Sequence, residues 1–244
     1  EPGSAELQEL ACGALGTLVS SDDVRELVAA DGVRLVLDAM RAHAACPGLQ
    51  ERACRALGNL VAGSADNQQE AARCGGVDLI LDAMRAHPRR LGVLEGACAA
   101  LWSLAAHCDG NQLRIASLGG VASIVGAMRS HPRSERLQAR GCGALRNLAA
   151  SLANLPELSS TGGLEAILEA MSLFRESAAV QREACGALQN FAGSQETQLD
   201  IVTSGAIGEV LAAMRTHSGS ARVQEAACGA LGNLSVDGGN GAGL

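Results

Sequence analysis

A short motif that recurs six times constrains the fold of this chain more than any other feature of the sequence. Each copy places a cysteine before an Ala-Leu pair, with one residue between them, and consecutive cysteines are 42, 44, 44, 43 and 43 residues apart. These are Cys12, Cys54, Cys98, Cys142, Cys185 and Cys228. A methionine recurs in the same register, at Met40, Met84, Met128, Met171 and Met214. Two markers with one period predict a repeat protein, in which each unit packs on its neighbours.

Each repeat is predicted to contain three helices. In the repeat that begins at residue 65, a short helix over about 67–74 ends at Gly75, which can take the left-handed conformation that terminates a helix. A second helix over 77–87 is closed by Pro88, which cannot continue it. The third and longest helix covers about 92–106. The same glycine stop is expected at Gly32, Gly119, Gly162 and Gly205.

The third helix carries an apolar stripe that it cannot bury alone. In one repeat the stripe consists of residues at i, i+4, i+7, i+8 and i+11, namely Leu49, Ala53, Ala56, Leu57 and Leu60. Gly58 and Arg55 are expected on the opposite, exposed face. Because stacked neighbours would cover the stripe, the sequence predicts an all-α solenoid. It has a leading third helix (5–19), five repeats (22–64, 65–107, 109–151, 152–193 and 195–236) and a Gly-rich flexible tail (237–244).

Composition excludes several other classes. Aromatic residues make up only 1% of the chain, which suits thin helix layers of Ala, Leu, Val and Ile better than one large core. The net charge of −7 argues against a nucleic-acid partner, and no apolar run reaches the length of a membrane span. Nine cysteines, an odd number spread along the repeats, indicate free buried thiols and therefore the cytosol, with the nucleus as the alternative.

The third-helix pattern Leu-Gln-x-x-Ala-x-x-Ala-Leu-x-Asn-Leu resembles that of the armadillo repeat family. The match is close from Leu49 to Leu60, and it recurs around Leu145, Leu188 and Leu231, so that the resemblance covers nearly the whole chain. It implies a right-handed armadillo-type α-solenoid with three helices per repeat of about 43 residues. HEAT repeats are the alternative, but they have two helices per unit and lack this Asn.

Members of the armadillo family bind extended peptides along a concave groove lined by third helices, and the motif Asn bonds the peptide backbone. By motif position the resemblance implies this role for Asn59, Asn147, Asn190 and Asn233. Ser103 and Thr17 stand in for Asn in the other two copies. The alternative is a local bond of each Asn near a helix end. Importin-alpha places a Trp four residues before this Asn; no such Trp occurs here, which points to an adaptor or scaffold and not to a receptor of lysine-rich signals.

The middle of the expected groove is its most distinctive part. Trp102 is the only tryptophan, and its slot on the third helix is occupied by Arg146 and Gln189 in the next two repeats. Arg140 and Arg182 are expected on or beside the same face, and Arg55 one repeat earlier. This aromatic and basic patch suits a protein or peptide that is acidic or phosphorylated and has an apolar anchor. The alternative is that Trp102 packs on the adjacent repeat, and that the charges only serve solubility.

Other recurrent residues do not indicate catalysis. Histidines recur at the end of the second helix, at His43, His87, His131 and His217. Packed helices lie 8–10 Å apart, so histidines from consecutive repeats cannot share one metal ion. The sequence has no phosphate loop and no catalytic serine motif, and we expect no enzyme activity, no metal and no cofactor. Glycines inside third helices, such as Gly143 and Gly186, indicate close approach of a ligand backbone or of a neighbouring helix.

The sequence therefore predicts a protein–protein interaction scaffold that binds a peptide or partner protein in its groove. The alternative is a structural, self-assembling segment of a larger solenoid protein. Ends without a polar capping repeat would expose apolar faces, which favours end-to-end self-association.

Overall fold

The computed structural model describes residues 4–19 and 22–235, and every regular element within these ranges is a helix. The predicted tail, 237–244, lies outside the described residues. The α-helices are α1 Ala5–Leu18, α2 Asp22–Ala42, α3 Pro47–Val61, α4 Ala65–Arg73, α5 Gly76–Ala86, α6 Leu91–Ala105, α7 Asp109–Ser117, α8 Gly120–Ser130, α9 Glu135–Leu148, α10 Leu155–Ser160, α11 Gly163–Leu173, α12 Ala178–Phe191, α13 Gln195–Thr203, α14 Ala206–Thr216 and α15 Ala221–Ser235. A turn of 3-10 helix, Leu152–Asn154, precedes α10.

From residue 65 onward the helices follow in groups of three, as the armadillo resemblance implies. First and second helices are separated by a glycine in the left-handed conformation, with φ of 76°, 76°, 78° and 82° at Gly75, Gly119, Gly162 and Gly205. This confirms the predicted stop at these four positions, since glycine has no Cβ to oppose a positive φ.

The prediction of a helix stop at Gly32 is wrong. Helix α2 continues through it as one element, Asp22–Ala42, in place of a first and a second helix. Gly32 corresponds in register to Gly76, whereas the position of the left-handed Gly75 is occupied by Asp31. An L-residue there favours continued right-handed helix. Gly32 itself is buried, and a Cβ on it would lie 3.4 Å from Leu60 Cδ2.

The apolar stripe forms the core as predicted. Leu49, Ala53, Ala56, Leu57 and Leu60 are all fully buried, and the same positions are buried in the following repeats except at Leu231 and Leu234 of α15, which are half-buried. Consecutive third helices, from α1 and α3 to α12 and α15, pack directly against one another along the chain. Gly58 corrects one expectation, because it is buried: a Cβ there would lie 3.3 Å from Ala100 Cα of the next third helix.

The motif glutamine ties the third helix to the second helix of its own repeat. Gln138 Nε2 donates to the carbonyls of Met128 and His131, at 2.9 and 3.2 Å. Equivalent pairs of bonds are made by Gln50, Gln181 and Gln224. These bonds satisfy carbonyls at the end of the second helix, where the helix itself supplies no donor. The glutamine that carried the family resemblance therefore has a structural role.

Histidines and arginines at the ends of second helices link consecutive repeats. His87 Nε2 lies 2.9 Å from the carbonyl of Ala44, and His217 Nε2 lies 2.8 Å from that of Arg175. Arg85 donates to the Leu118 carbonyl at 2.7 Å, at the end of the next first helix. These polar contacts give His87 and His217 a structural role, whereas His131 Nδ1 lies 2.8 Å from Ser130 Oγ of its own helix.

Candidate functional site

The four motif asparagines form a series of hydrogen bonds between consecutive third helices. Each Nδ2 donates to a backbone carbonyl of the preceding third helix: Asn59 to Gly16 at 2.7 Å, Asn147 to Trp102 at 2.9 Å, Asn190 to Arg146 at 2.8 Å and Asn233 to Gln189 at 2.8 Å. Asn59, Asn147 and Asn190 are half-buried, and Asn233 is exposed. Within the described ranges, no group donates to the amide oxygens of these four residues, which leaves Oδ1 as an acceptor.

The two substitutes for Asn behave differently. Thr17 Oγ1 donates to the Gly13 carbonyl of its own helix at 3.0 Å. Ser103 is half-buried, and it is its backbone carbonyl that accepts a bond, from Gln68 Nε2 at 2.7 Å. Of the five described third helices that follow another one, α6 with Ser103 lacks the interhelix bond, and the four with Asn make it.

Glycines on one third helix accommodate large side chains of the helix before it. A Cβ on Gly143 would lie 2.7 Å from Trp102 Cε2, and one on Gly186 would lie 2.7 Å from Arg146 Nε. Gln189 lies over Gly229 in the same way. At these positions the glycines allow the close approach of a neighbouring helix and not of a ligand backbone.

A depression of about 450 Å³ lies where α6, α9 and α12 meet. We call it the Trp102 depression. It is lined by Trp102, Glu135, Arg136, Ala139, Arg140, Ala179, Arg182 and Glu183. Trp102 is half-buried, with its indole across Gly143, which agrees with the alternative that it packs on the adjacent repeat. The ring both packs on the adjacent repeat and contributes to an accessible surface.

Two arginines of α9 share one carboxylate of α6. Arg140 Nη1 donates to the Glu95 carbonyl at 3.0 Å and lies 3.8 Å from Glu95 Oε2, while Arg136 Nε lies 3.5 Å from the same oxygen. The other carboxylate oxygen accepts from Ser134 Oγ at 2.9 Å. Burial, together with the nearby charge of Arg136, lowers the pKa of Arg140.

The sequence interpretation missed a buried carboxylate in this region. The side chain of Glu183 is 2% exposed and lies between two arginines. Arg146 Nη1 donates to its Oε2 at 3.2 Å, and Arg182 Nε donates to its Oε1 at 2.7 Å. Its position in the motif is occupied by Arg52 and Arg140 in other third helices. Alignment of the repeats against one another would have revealed this change of charge.

The predicted site residues are thus brought together only in part. Trp102, Arg140 and Arg182 line one depression, and Arg146 is joined to it through Glu183. Arg55 is half-buried and has no ion pair among the described residues, although its positive charge contributes to the lowered pKa of Arg140. Gln189 lies one repeat further on. Towards the N-terminus, Glu9 on α1 pairs with Arg52 on α3 at 2.8 Å.

Five of the six motif cysteines are buried thiols. All nine cysteines are free. Burial raises the pKa of Cys54, Cys98 and Cys185 to about 12 and also raises that of Cys142. No cluster of His, Cys, Asp and Glu in residues 4–19 and 22–235 could hold a metal ion. In the same ranges, no helix is both long and apolar enough to span a bilayer.

Comparison with known proteins supports the fold. Residues 119–239 match the family model described as LRRK2 ARM repeat. No curated protein matches the sequence significantly. Among solved structures, an engineered protein from a structural genomics consortium is 24% identical with a TM-score of 0.76, over 95% of this chain and 91% of that chain.

Two designed armadillo repeat proteins are also similar. One is 20% identical with a TM-score of 0.75, over 96% of this chain and 100% of its own. The other, in complex with peptide (KR)4, is 19% identical with a TM-score of 0.72, over 96% of this chain and 99% of its own. At these identities the likeness shows the fold alone.

Proposed function

We propose, from the premise that this chain is an armadillo repeat protein, that it is an interaction scaffold which binds an extended peptide or partner protein along its third helices. The observation that supports this function is the Trp102 depression. It offers an apolar floor of Trp102, Ala139 and Ala179 beside the guanidinium groups of Arg136, Arg140 and Arg182. Aromatic and arginine side chains around a recess are the residue types that dominate binding energy at protein interfaces.

The asparagine series suits an extended ligand. Each Asn gives its Nδ2 to the preceding third helix and keeps Oδ1 as an acceptor. The side chains that make these bonds recur at one motif position in four of the five repeats, and Ser103 takes this position in the other. A peptide that runs across the repeats would find these side-chain oxygens as acceptors for its backbone N–H groups, with Asn147 and Asn190 on consecutive third helices. The structural bond and a peptide contact are compatible, because they use different atoms of the same amide.

Peptide selection from a random library tests this function. We expect selected peptides to lose at least about tenfold in affinity for the double variant Trp102→Ala/Arg146→Ala, because truncation of an aromatic anchor costs about 2 kcal/mol or more. The matched control is Arg215→Ala, an exposed arginine on α14, which should leave affinity unchanged. Circular dichroism would verify that each variant is folded. Equal affinity of wild type and double variant would exclude the depression as the binding site.

A second function, self-association, is favoured by the apolar surface around α1 and α2. A cavity of about 610 Å³ between these helices is lined mainly by apolar residues, and Leu10, Leu18 and Leu35 are 63%, 60% and 68% exposed. Leu199 and Val202 on α13 are exposed as well. Contact between these two surfaces of different copies would join molecules end to end.

Light scattering over a concentration series tests self-association. We expect the mass to rise with concentration, and the variant Leu35→Glu to remain a monomer, because a buried carboxylate opposes contact at that surface. Leu152→Glu, at a residue 60% exposed elsewhere on the chain, is the matched control. A mass that stays monomeric at high concentration would argue against this function.

The free thiols also support location in a reducing compartment, the cytosol or the nucleus.

A further inference from the structure

We propose that the Trp102 depression contains an anion subsite, formed by Arg136 and Arg140, which binds the carboxylate or phosphate of a side chain of the ligand. This inference rests on the proposed function, and it specifies the chemistry of the partner. The two guanidinium groups face one shared carboxylate, Glu95, at distances that leave part of their hydrogen-bonding capacity unused.

Glu95 neutralises its two arginines incompletely. The ion-pair distances of 3.5 Å to Arg136 and 3.8 Å to Arg140 exceed the 2.7–2.9 Å of a charge-assisted hydrogen bond. One of the carboxylate oxygens is already bonded to Ser134. The Arg136 side chain is 61% exposed, and a guanidinium group has five N–H donors. Donors therefore remain available for a second anion that approaches from solvent.

The balance of charge points the same way. Four arginines line the depression or are joined to it, and they face three carboxylates, those of Glu95, Glu135 and Glu183; the arginines are Arg136, Arg140, Arg146 and Arg182. This local positive excess occurs in a chain of net charge −7. Glu135 is engaged as well, since it accepts from Ser177 Oγ at 2.6 Å. Burial and the charges of Arg136 and Arg55 lower the pKa of Arg140, which agrees with cations held close together.

The residue types also suit an anion. The chain has 19 basic residues, and all are arginine. The planar guanidinium group matches carboxylate and phosphate in a two-bond geometry that a lysine ammonium cannot reproduce. The floor of Trp102, Ala139 and Ala179 beside these groups favours an apolar side chain next to the acidic one. The expected ligand is an acidic peptide with a neighbouring apolar residue.

Trp102 provides a direct probe of this subsite, because it is the only tryptophan and the chain has no tyrosine. We would titrate the protein with four short synthetic peptides that contain leucine and, at the variable positions, glutamate, phosphoserine, glutamine or lysine. Binding is followed by Trp102 fluorescence. We expect the glutamate and phosphoserine peptides to bind, and the glutamine and lysine peptides to bind at least about tenfold more weakly. The relative affinities of the first two distinguish a carboxylate from a phosphate as the preferred anion.

Two variants with opposite expected effects separate this site from a structural role. Arg136→Gln should weaken binding of the acidic peptides about tenfold, because it removes a charged donor. Glu95→Gln should strengthen it, because the competing charge is lost while an acceptor for Ser134 remains. Arg215→Gln is the matched control for loss of one positive charge and should change nothing.

The outcomes also separate the subsite from the general function. Binding of the lysine or glutamine peptide as strong as that of the glutamate peptide would overturn the anion subsite and leave peptide binding standing. Unchanged affinity of Arg136→Gln for the acidic peptides would overturn it as well. Absence of any Trp102 response with all four peptides would overturn the anion subsite, whereas the general function is decided by the library selection.

Discussion

At the scale of single residues, close packing of third helices depends on a pairing of glycine with a larger group. Glycine inside a helix costs about 1 kcal/mol relative to alanine. Here the missing Cβ provides the space in which the Trp102 ring lies on Gly143, and the Arg146 side chain on Gly186. Gly16 and Gly58 instead let the helix backbones approach, because a Cβ on them would lie 3.2 Å from Ala56 Cα and 3.3 Å from Ala100 Cα. The glycines are thus part of the interface between repeats.

Gly143→Ala is expected to displace the Trp102 indole, because the added Cβ would lie 2.7 Å from Cε2. The emission of Trp102 should shift to longer wavelength and become more accessible to iodide. Gly126→Ala is the matched control: this exposed glycine lies within α8, and its Cβ would meet nothing within 4 Å. The control should stabilise the protein by up to about 1 kcal/mol without a change in emission. An unshifted emission in Gly143→Ala would contradict the described packing.

At the scale of helices, polar side chains fix the position of each third helix relative to its surroundings. The motif glutamine joins it to the second helix of its own repeat, and the motif asparagine joins it to the preceding third helix. Both donors reach backbone carbonyls, which are present whatever the side chains of the neighbouring helix are. The same two bonds can therefore recur in repeats whose surface residues differ.

Asn147→Ala tests the bond between α6 and α9. It removes the bond to the Trp102 carbonyl, and we expect a variant about 1 kcal/mol less stable than Ser103→Ala, measured by urea denaturation. Ser103 is the matched control, since it occupies the same motif position and its hydroxyl makes no such bond. If both alanine variants were equally stable, the asparagine would contribute nothing to stacking, and its role would be confined to the ligand.

At the scale of the whole molecule, the buried cysteines form a series that extends through the stack. Cys54, Cys98, Cys142 and Cys185 are all fully buried in the core. The chain has no lysine and no tyrosine, so its cysteines are the side chains that titrate between pH 8 and 12. Its behaviour at alkaline pH therefore reports on burial of these thiols.

We expect the free energy of unfolding to decrease as the pH rises from about 9 towards 12. In the unfolded chain the thiols ionise near their ordinary pKa of 9.0, whereas burial keeps those of Cys54, Cys98 and Cys185 protonated up to about 12. The folded state then binds more protons, and each thiol contributes roughly 1.4 kcal/mol per pH unit in this window. Urea denaturation at several pH values measures the slope. Cys98→Ala should reduce it, and the exposed Cys228→Ala should not; equal slopes would contradict thiol burial.

The parts of the fold that follow local rules could be predicted from the sequence. The positions of Gly75 and Gly119 sufficed to predict helix ends, and the stripe from Leu49 to Leu60 sufficed to predict the core. The predicted helix end at Gly32 was wrong because the end of the first helix depends on the residue before this glycine, which here is Asp31. The burial of Trp102 depended on a glycine in the next repeat, and the buried Glu183 on an arginine of another helix. Such pairings arise only after stacking, and a pattern within one repeat does not contain them.

The match between Trp102 and Gly143 also restricts how such an array can grow. A tandem copy of residues 65–107, inserted directly after the original, would bring Ala99 of the copy against the indole, where the structure has Gly143. A repeat that acquires a bulky residue at the position of Trp102 therefore requires a glycine at the position of Gly143 in the repeat that follows it. The order of the units along the chain is in this sense fixed by adjacent pairs, and units of nearly the same sequence are not interchangeable.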